Sequence, residues 1–483
     1  MPTGQCLLDC VLFDSTAEFF VIAQPLLCYP LALVLALAAV RADVVPAPLF
    51  TDGAVLQQEQ PVAVWGQADV GERVAVSFAG QRISATAGAD GRWMVLLEPL
   101  AASAAMTDLT IEGRNRIVVR DILVGEVWLC AGEGGMELPL GRTANGAAEV
   151  AAADYPLIRH VKIRPTLAPA PMHTVVTTGW RSASPTEAGT FTAVGYFFAR
   201  ELHRRQDVPV GVVNVTLGST PIEAWLSAFA LAGLAGRAQP AVKSHASDDR
   251  SMPAAIFNGM IYPLLPFSLR GALWHQGESD AGRVAAYHPA LMALISSWRV
   301  HFGQVGLPFY WVNLAAFKFP ADSTGMALAY LREAQSRTLV VPDTGQALAI
   351  DLGGRQDPLP EISQEVGRRL GLLARRRVYG RVLDDAGPTL ASVIREGGAL
   401  RLRFRNAGSG LVAHNHPVQS LAVAAADRVF HPATGRIERD TLVVSSPLVR
   451  EPVAVRYAWE NAPSANLFSG SGLPAVPFRS DNW

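Results

Sequence analysis

Trp128-Leu-Cys-Ala-Gly-Glu-Gly-Gly-Met-Glu137 reads as the end of a buried strand that turns sharply into a helix. A strand-to-helix turn of this kind is a common seat for a catalytic nucleophile, because its tip projects above the sheet. Outward from this turn, short apolar runs alternate with helical patterns from residue 121 to about residue 390. The candidate strands are Ile122–Cys130, Val210–Val215, Ala272–His275, Phe309–Leu314 and Ala347–Asp351, and the candidate helices are Ala193–Gln206, Tyr287–Phe302 and Gln364–Tyr379. Strands that are apolar throughout, separated by helices, predict a mostly parallel, doubly wound α/β sheet covered on both faces. Ligands in such folds sit outside the carboxyl ends of the strands. The loops at Gly134, Gly218 and Gln276, and the loop after Asp351, are therefore expected to converge on one crevice.

Both flanks read as β structure. Val74-Ala-Val-Ser-Phe78 alternates, Gly88-Ala-Asp-Gly91 signals a turn before Arg92-Trp-Met-Val-Leu-Leu97, and Ile117-Val-Val-Arg-Asp121 closes the first part. Leu400-Arg-Leu-Arg-Phe404 and Val453-Ala-Val-Arg-Tyr457 alternate in the last part. The predicted organisation is a leader at 1–42, a β-sandwich-like domain at 43–120, the α/β domain at 121–390 and a C-terminal β domain at 391–483. A chain of 483 residues has room for such a division.

Half the residues are hydrophobic and 17% are charged, which excludes a disordered chain. A net charge of −1 offers no basic surface for nucleic acid or an anionic membrane. Residues 26–40 form an apolar run, and Val40-Arg-Ala42 fits a small-residue cleavage site. The run contains Pro30 and is short for a membrane span, so a leader and export to the periplasm or cell exterior are expected. The n-region is atypical: no Lys or Arg precedes Arg41, and Asp9, Asp14 and Glu18 do. Cys6, Cys10 and Cys28 lie before the cleavage site. The mature chain then keeps Cys130 alone, a small hydrophobe with no metal-ligand spacing around it. No cofactor or metal is implied.

Several ordered segments carry a resemblance. Phe50-Thr-Asp-Gly-Ala-Val-Leu-Gln57 stands first. Val208-Pro-Val-Gly-Val-Val-Asn214 leads into Gly218-Ser-Thr-Pro-Ile-Glu-Ala-Trp225, and Asn258-Gly-Met-Ile261 precedes Trp274-His-Gln-Gly-Glu-Ser279. Gln364-Glu-Val-Gly-Arg-Arg369, Val453–Trp459 and Pro477-Phe-Arg-Ser-Asp481 follow. Together with the Gly132–Met136 turn, these segments resemble the sialate O-acetylesterase family, a branch of the SGNH hydrolases, over about residues 48–483. The resemblance implies an SGNH-type fold and hydrolysis of O-acetyl esters on sugars, with sialic acid or a plant-type glycan as the acetylated carbohydrate.

Serine-dependent ester cleavage needs a hydroxyl, a base and donors for the oxyanion. In the family the turn reads Gly-Gln-Ser-Asn-Met, so Gly134 takes the serine's place and Glu133 the glutamine's. The family's histidine base lies in an Asp-x-His-Pro segment. Here that segment is Asp357-Pro-Leu-Pro360, which puts Leu359 at the histidine position and leaves Asp357 as the acid, with Asp351 as an alternative. The resemblance assigns oxyanion donation to the Gly218 N–H and the Gln276 side chain, although Gln276 could equally be a buried amide tying two loops together. Ser219 stands where the family usually has a second glycine.

Glu133, as a base on water, and Ser219, swinging into the crevice, are possible substitutes. His275, and His414, His416 and His431 in the C-terminal region, are weaker ones. Trp225 and Trp274 read either as sugar-stacking faces or as core. Losing the serine or histidine of a triad costs on the order of 10⁶ in turnover. Strongly impaired or absent serine-esterase activity follows, with a non-catalytic binder of acetylated glycan as the alternative function.

Overall fold

The computed structural model describes residues 43–234, 249–319, 321–352, 359–414 and 417–483. The expected leader, Asp357 and His416 lie outside the described residues. The centre of the fold is a sheet built from β1 (Arg116–Gly132), β2 (Tyr155–Lys162), β3 (Arg181–Ala183), β4 (Val210–Thr216), β5 (Gly271–His275), β6 (Phe309–Asn313) and β7 (Thr344–Leu348). Their spatial order is β3-β2-β4-β1-β5-β6-β7. Every neighbouring pair is parallel except β3 with β2 at the edge.

Period-two alternation along these strands builds two cores. Val127, Leu129 and Ala131 of β1, Val213 and Val215 of β4, and Phe309 and Trp311 of β6 join one apolar cluster. Trp128 and Cys130, Val210 and Val212, and Tyr310 and Val312 point the other way into a second. Helices α3 (Val284–His301) and α4 (Ala327–Arg337) cover the first face, and α2 (Ala193–Gln206) and α5 (Leu359–Arg377) the second. Helices α2 and α5 cross closely: a Cβ on Gly367 would lie 2.6 Å from that of Phe197. This contact fixes α5, and Leu359 is its first residue. The α/β class with a mostly parallel, doubly wound sheet is thus as the apolar runs imply, with further β sheets beside it.

The sequence divisions are less sharp in space. Strand β1 is 17 residues long. Its first part pairs with Ser103–Glu112 and Val55–Gln57, and its last part with β4 and β5. The expected boundary at 120/121 falls inside this strand. The expected boundary at 390/391 likewise falls inside Thr389–Glu396, the first strand of a four-stranded C-terminal sheet.

The strand expected at Ala347–Asp351 runs instead from Thr344 to Leu348. Thr344 and Gln346 are buried polar residues within it, with Thr344 bonded to Val341 O and Gln346 to Asn313. The helix expected at Gln364 begins five residues earlier, at Leu359.

Arg332 of α4 fastens the C-terminal region to the α/β core. Its guanidinium donates to Leu314 O (2.9 Å), Ala315 O (2.6 Å), Glu460 O (2.9 Å) and Asn461 O (2.8 Å). Among the described residues no helix is long and apolar enough to cross a membrane.

Candidate active site

The register of the sheet brings the key loops together. Thr216 of β4 pairs with Gly132 of β1, and Gly132 pairs with His275 of β5. The three strands end in one row, so their loops meet above it. Gly132 must be glycine: its φ is +134°, and a Cβ there would lie 2.1 Å from the His275 carbonyl oxygen. The amide of Glu133 then donates to that same oxygen at 2.9 Å, which closes the turn into α1 (Gly134–Glu137).

Gly134 is half-buried at the tip. Among the described residues, a Cβ built on it would meet Leu359 Cδ1 at 3.7 Å. The positions matching the family's serine and histidine are therefore adjacent in space, and both side chains there lack any group that could attack or accept a proton. Gly135 is fully packed. A Cβ on it would fall 2.1 Å from Cε1 of the His275 ring, so the asparagine of the resembled turn has no room beside that histidine.

Glu133 is a structural acceptor in this arrangement. It is 4% exposed, and its carboxylate accepts from Gly277 N (2.9 Å), Ser279 N (3.3 Å), Thr220 N (3.3 Å) and Ser279 Oγ (2.5 Å). It ties the turn to both neighbouring loops. Its lone pairs are committed to four donors, so the sequence-based role of general base on water is corrected.

The expected oxyanion donors are also engaged. The Gly218 N–H donates to Glu137 Oε2 at 2.8 Å, and Lys162 Nζ stands 3.8 Å from the other oxygen of that carboxylate. Gln276 is wholly buried. Its Nε2 donates to Thr220 O (3.1 Å) and Asp280 Oδ2 (2.6 Å), and its Oε1 accepts from Tyr287 Oη (3.0 Å). Gln276 is the buried amide tying loops together, and it presents no donor to the crevice.

Ser219 is exposed and holds φ +58°, a left-handed conformation that costs a residue with a Cβ about 1–2 kcal/mol. Ser219→Gly is expected to raise stability by up to about 1 kcal/mol, read from the urea midpoint at constant m-value. A lower midpoint would show that the hydroxyl holds the loop.

The other candidates resolve as follows. Trp225 and Trp274 are both 0% exposed, with ring centroids 5.2 Å apart edge to face. They are core residues, and the stacking role is corrected by burial. Asp351 forks with Arg369 at 2.6 and 2.7 Å, so it braces α5. His275 is buried against Gly135, and burial lowers its pKa to about 4, leaving a neutral ring. His414 lies on Phe468, 4.5 Å between centroids, and His431 sits in the C-terminal strand Phe430–Pro432. Cys130 is a free, buried thiol whose pKa burial pushes far up. Among the described residues no group of three His, Cys, Asp or Glu side chains is placed to hold a metal ion.

A buried acidic network under the crevice went unread in the sequence, although Glu223 and Glu278 lie inside the quoted segments. Arg283 forks with Glu223 at 2.5 and 2.8 Å and also pairs with Asp280. Burial, with Glu223 adding repulsion, raises the Asp280 pKa to about 7. Burial, with Glu133 adding repulsion, raises Glu278 to about 8. Both carboxyls keep a proton in the folded state that the unfolded chain releases near pH 4. Their contribution to stability is therefore lost as pH rises through about 7 to 8.

Buried His275 and His160, the latter lowered to about 3 chiefly by burial, act in the opposite sense. The unfolded chain protonates these rings below about pH 6.5, so their opposition vanishes above that value. Stability should fall between about pH 6.5 and 8, and equilibrium urea unfolding at several pH values reads it. In Glu133→Gln the Glu278 repulsion is gone, and the fall should move to lower pH. An unmoved fall would show that Glu133 has no hold on the titration.

Residues 126–372 match the family model described as carbohydrate esterase, sialic acid-specific acetylesterase. The sialate O-acetylesterases of Pongo abelii and Homo sapiens are each 28% identical to this chain over 88% of it and 90% of their own length. The crystal structure of a carbohydrate acetylesterase from Xanthomonas citri superposes with a TM-score of 0.85 at 40% identity, covering 91% of this chain and 100% of that one.

Proposed function

This chain belongs to the carbohydrate esterase family of sialic acid-specific acetylesterases, and from that membership we propose that it binds O-acetylated carbohydrate in the crevice above β1, β4 and β5 without cleaving the ester by a serine mechanism. One observation carries the reading: Gly134 faces Leu359, 3.7 Å from its Cδ1 to the Cβ position, where the family's nucleophile and base would meet. With Gly218 N–H held by Glu137 and Gln276 buried, the donors that otherwise sustain residual catalysis are engaged as well. The carbohydrate class, sialic acid or a plant-type glycan, follows from family membership.

The test is an acetyl-release assay on the purified chain with 4-nitrophenyl acetate and O-acetylated sialic acid, paired with equilibrium binding of the same sugar. Release at the buffer rate with saturable binding is expected. Turnover well above buffer would overturn the proposal, and Glu133→Gln and Ser219→Ala would show whether either side chain carries it. Export is part of it, on the strength of the apolar run at 26–40 and the small-residue site ending at Ala42. N-terminal sequencing of the protein from its source cells should begin near Asp43, and a cytoplasmic chain starting at Met1 would refute it.

A further inference from the structure

A second groove lies on the N-terminal β region. It encloses about 320 Å³, within the roughly 300–1,000 Å³ typical of small-ligand sites. One wall is the outward face of the pair Val62–Gln67 and Arg92–Leu97, where Trp65 and Met94 are direct cross-strand partners and Gln67 opposes Arg92. The other wall is the segment around Tyr262 and Pro263, with His173 beside it. Val64 and Val95, on the opposite face of the same two strands, are buried in the core. The pleat thus turns Trp65 and Met94 outward, and Met94 is 55% exposed.

The polar groups of the groove are held in place. The Arg92 guanidinium donates to Asp90 Oδ2 at 2.6 Å and reaches His173 Nδ1 at 2.8 Å, while its amide donates to Asp90 Oδ1 at 3.1 Å. The His173 ring in turn stands edge-on to Tyr262, 5.7 Å between centroids. The guanidinium is balanced by one carboxylate, so the groove carries no uncompensated charge to select an ion. Flat aromatic surface beside fixed, planar, charge-balanced hydrogen-bonding groups suits a polyol with an apolar ring face.

We propose that this groove is a carbohydrate-binding subsite, separate from the crevice, that takes a neutral pyranose unit of a glycan chain. The ring face packs on Trp65 and Tyr262, and its hydroxyls bond Arg92, which Asp90 holds, and His173. The inference extends the carbohydrate reading of the family, but it rests on different residues.

The test is calorimetric titration of the full chain with xylohexaose and cellohexaose, with a proline hexapeptide as the comparison ligand. Saturable binding of at least one neutral hexaose is expected, weakened about tenfold by Tyr262→Ala and by Arg92→Ala. Both positions avoid Trp65, which packs on Phe50 and Phe267 and whose removal endangers the fold. Filling the crevice with Gly134→Phe should leave hexaose binding intact. Binding abolished by Gly134→Phe but untouched by Tyr262→Ala and Arg92→Ala would place the sugar in the crevice and overturn the proposal. So would binding of the proline peptide alone, or of no ligand at all. Failure of the crevice reading appears separately, as loss of O-acetylated sialic acid binding in none of the crevice variants.

Discussion

Gly134→Ser combined with Leu359→His is expected to create acetylesterase activity in a chain that otherwise releases acetate at the buffer rate. Among the described residues a Cβ at 134 meets nothing nearer than Leu359 Cδ1 at 3.7 Å, so a serine hydroxyl and an imidazole at these positions would be close neighbours. Neither change alone supplies a nucleophile with its base, and triad members act as a unit, so the gain should be strongly non-additive. A full gain on the order of 10⁶ is not expected, because Gly218 N–H is held by Glu137 and Gln276 is turned inward. A gain on the order of 10³ in 4-nitrophenyl acetate turnover over either single variant is the expected scale. If the double variant is no faster than Gly134→Ser alone, the two positions are not the remains of one catalytic pair.

The largest loss of stability should come from Arg332→Ala. That guanidinium is 1% exposed and satisfies four carbonyl oxygens, two at the end of β6 and two in the C-terminal region. Removing it takes a donor from each of the four carbonyls, of which Asn461 O keeps the Phe317 amide at 3.3 Å, and strips Glu278 of a nearby positive charge. A cost of about 3–5 kcal/mol follows. Arg332→Lys should recover little of it, because a single ammonium cannot reproduce the planar fork that spans the four acceptors. Chemical unfolding monitored by tryptophan fluorescence measures both, and a loss below about 1 kcal/mol in the alanine variant would show that water reaches these carbonyls.

The fold was legible where the buried residues are mainly apolar. Val210–Thr216 and Ala193–Gln206 emerge almost residue for residue, the strand as a short apolar run buried on both faces and the helix by the spacing of its apolar residues. Reading failed where polar residues go inside with dedicated partners. Strand β2 carries Arg159 and His160, which break the apolar run. Both are buried because Arg159 forks with Asp121 and His160 stacks on Phe191 as a neutral ring. Helix α4 was missed for the same reason, since Arg332 and Gln335 lie on its buried face.

The site shows a similar split. The meeting of the three loops followed from parallel strands alone. The engagement of Glu133, Gln276 and Gly218 did not, because a one-dimensional pattern does not say which acceptor a buried donor will find. Trp225 and Trp274 read as core more readily than as sugar-stacking faces, and their neighbours decide for core.

Strand β1 has a consequence for how the molecule comes apart. It is a single ribbon whose first half pairs with Ser103–Glu112 and Val55–Gln57 of the N-terminal β region and whose second half is the middle of the main sheet, so that pairing cannot melt or be clipped off without cutting into the main sheet's own strand. A fragment starting at residue 121 would begin mid-ladder, and a fragment ending there would lose the pairing of Val55–Gln57 with Leu123–Gly125. Gradual heating should therefore give one calorimetric transition across both regions, limited proteolysis should spare the 116–125 stretch until the whole collapses, and neither half should be graftable without the other.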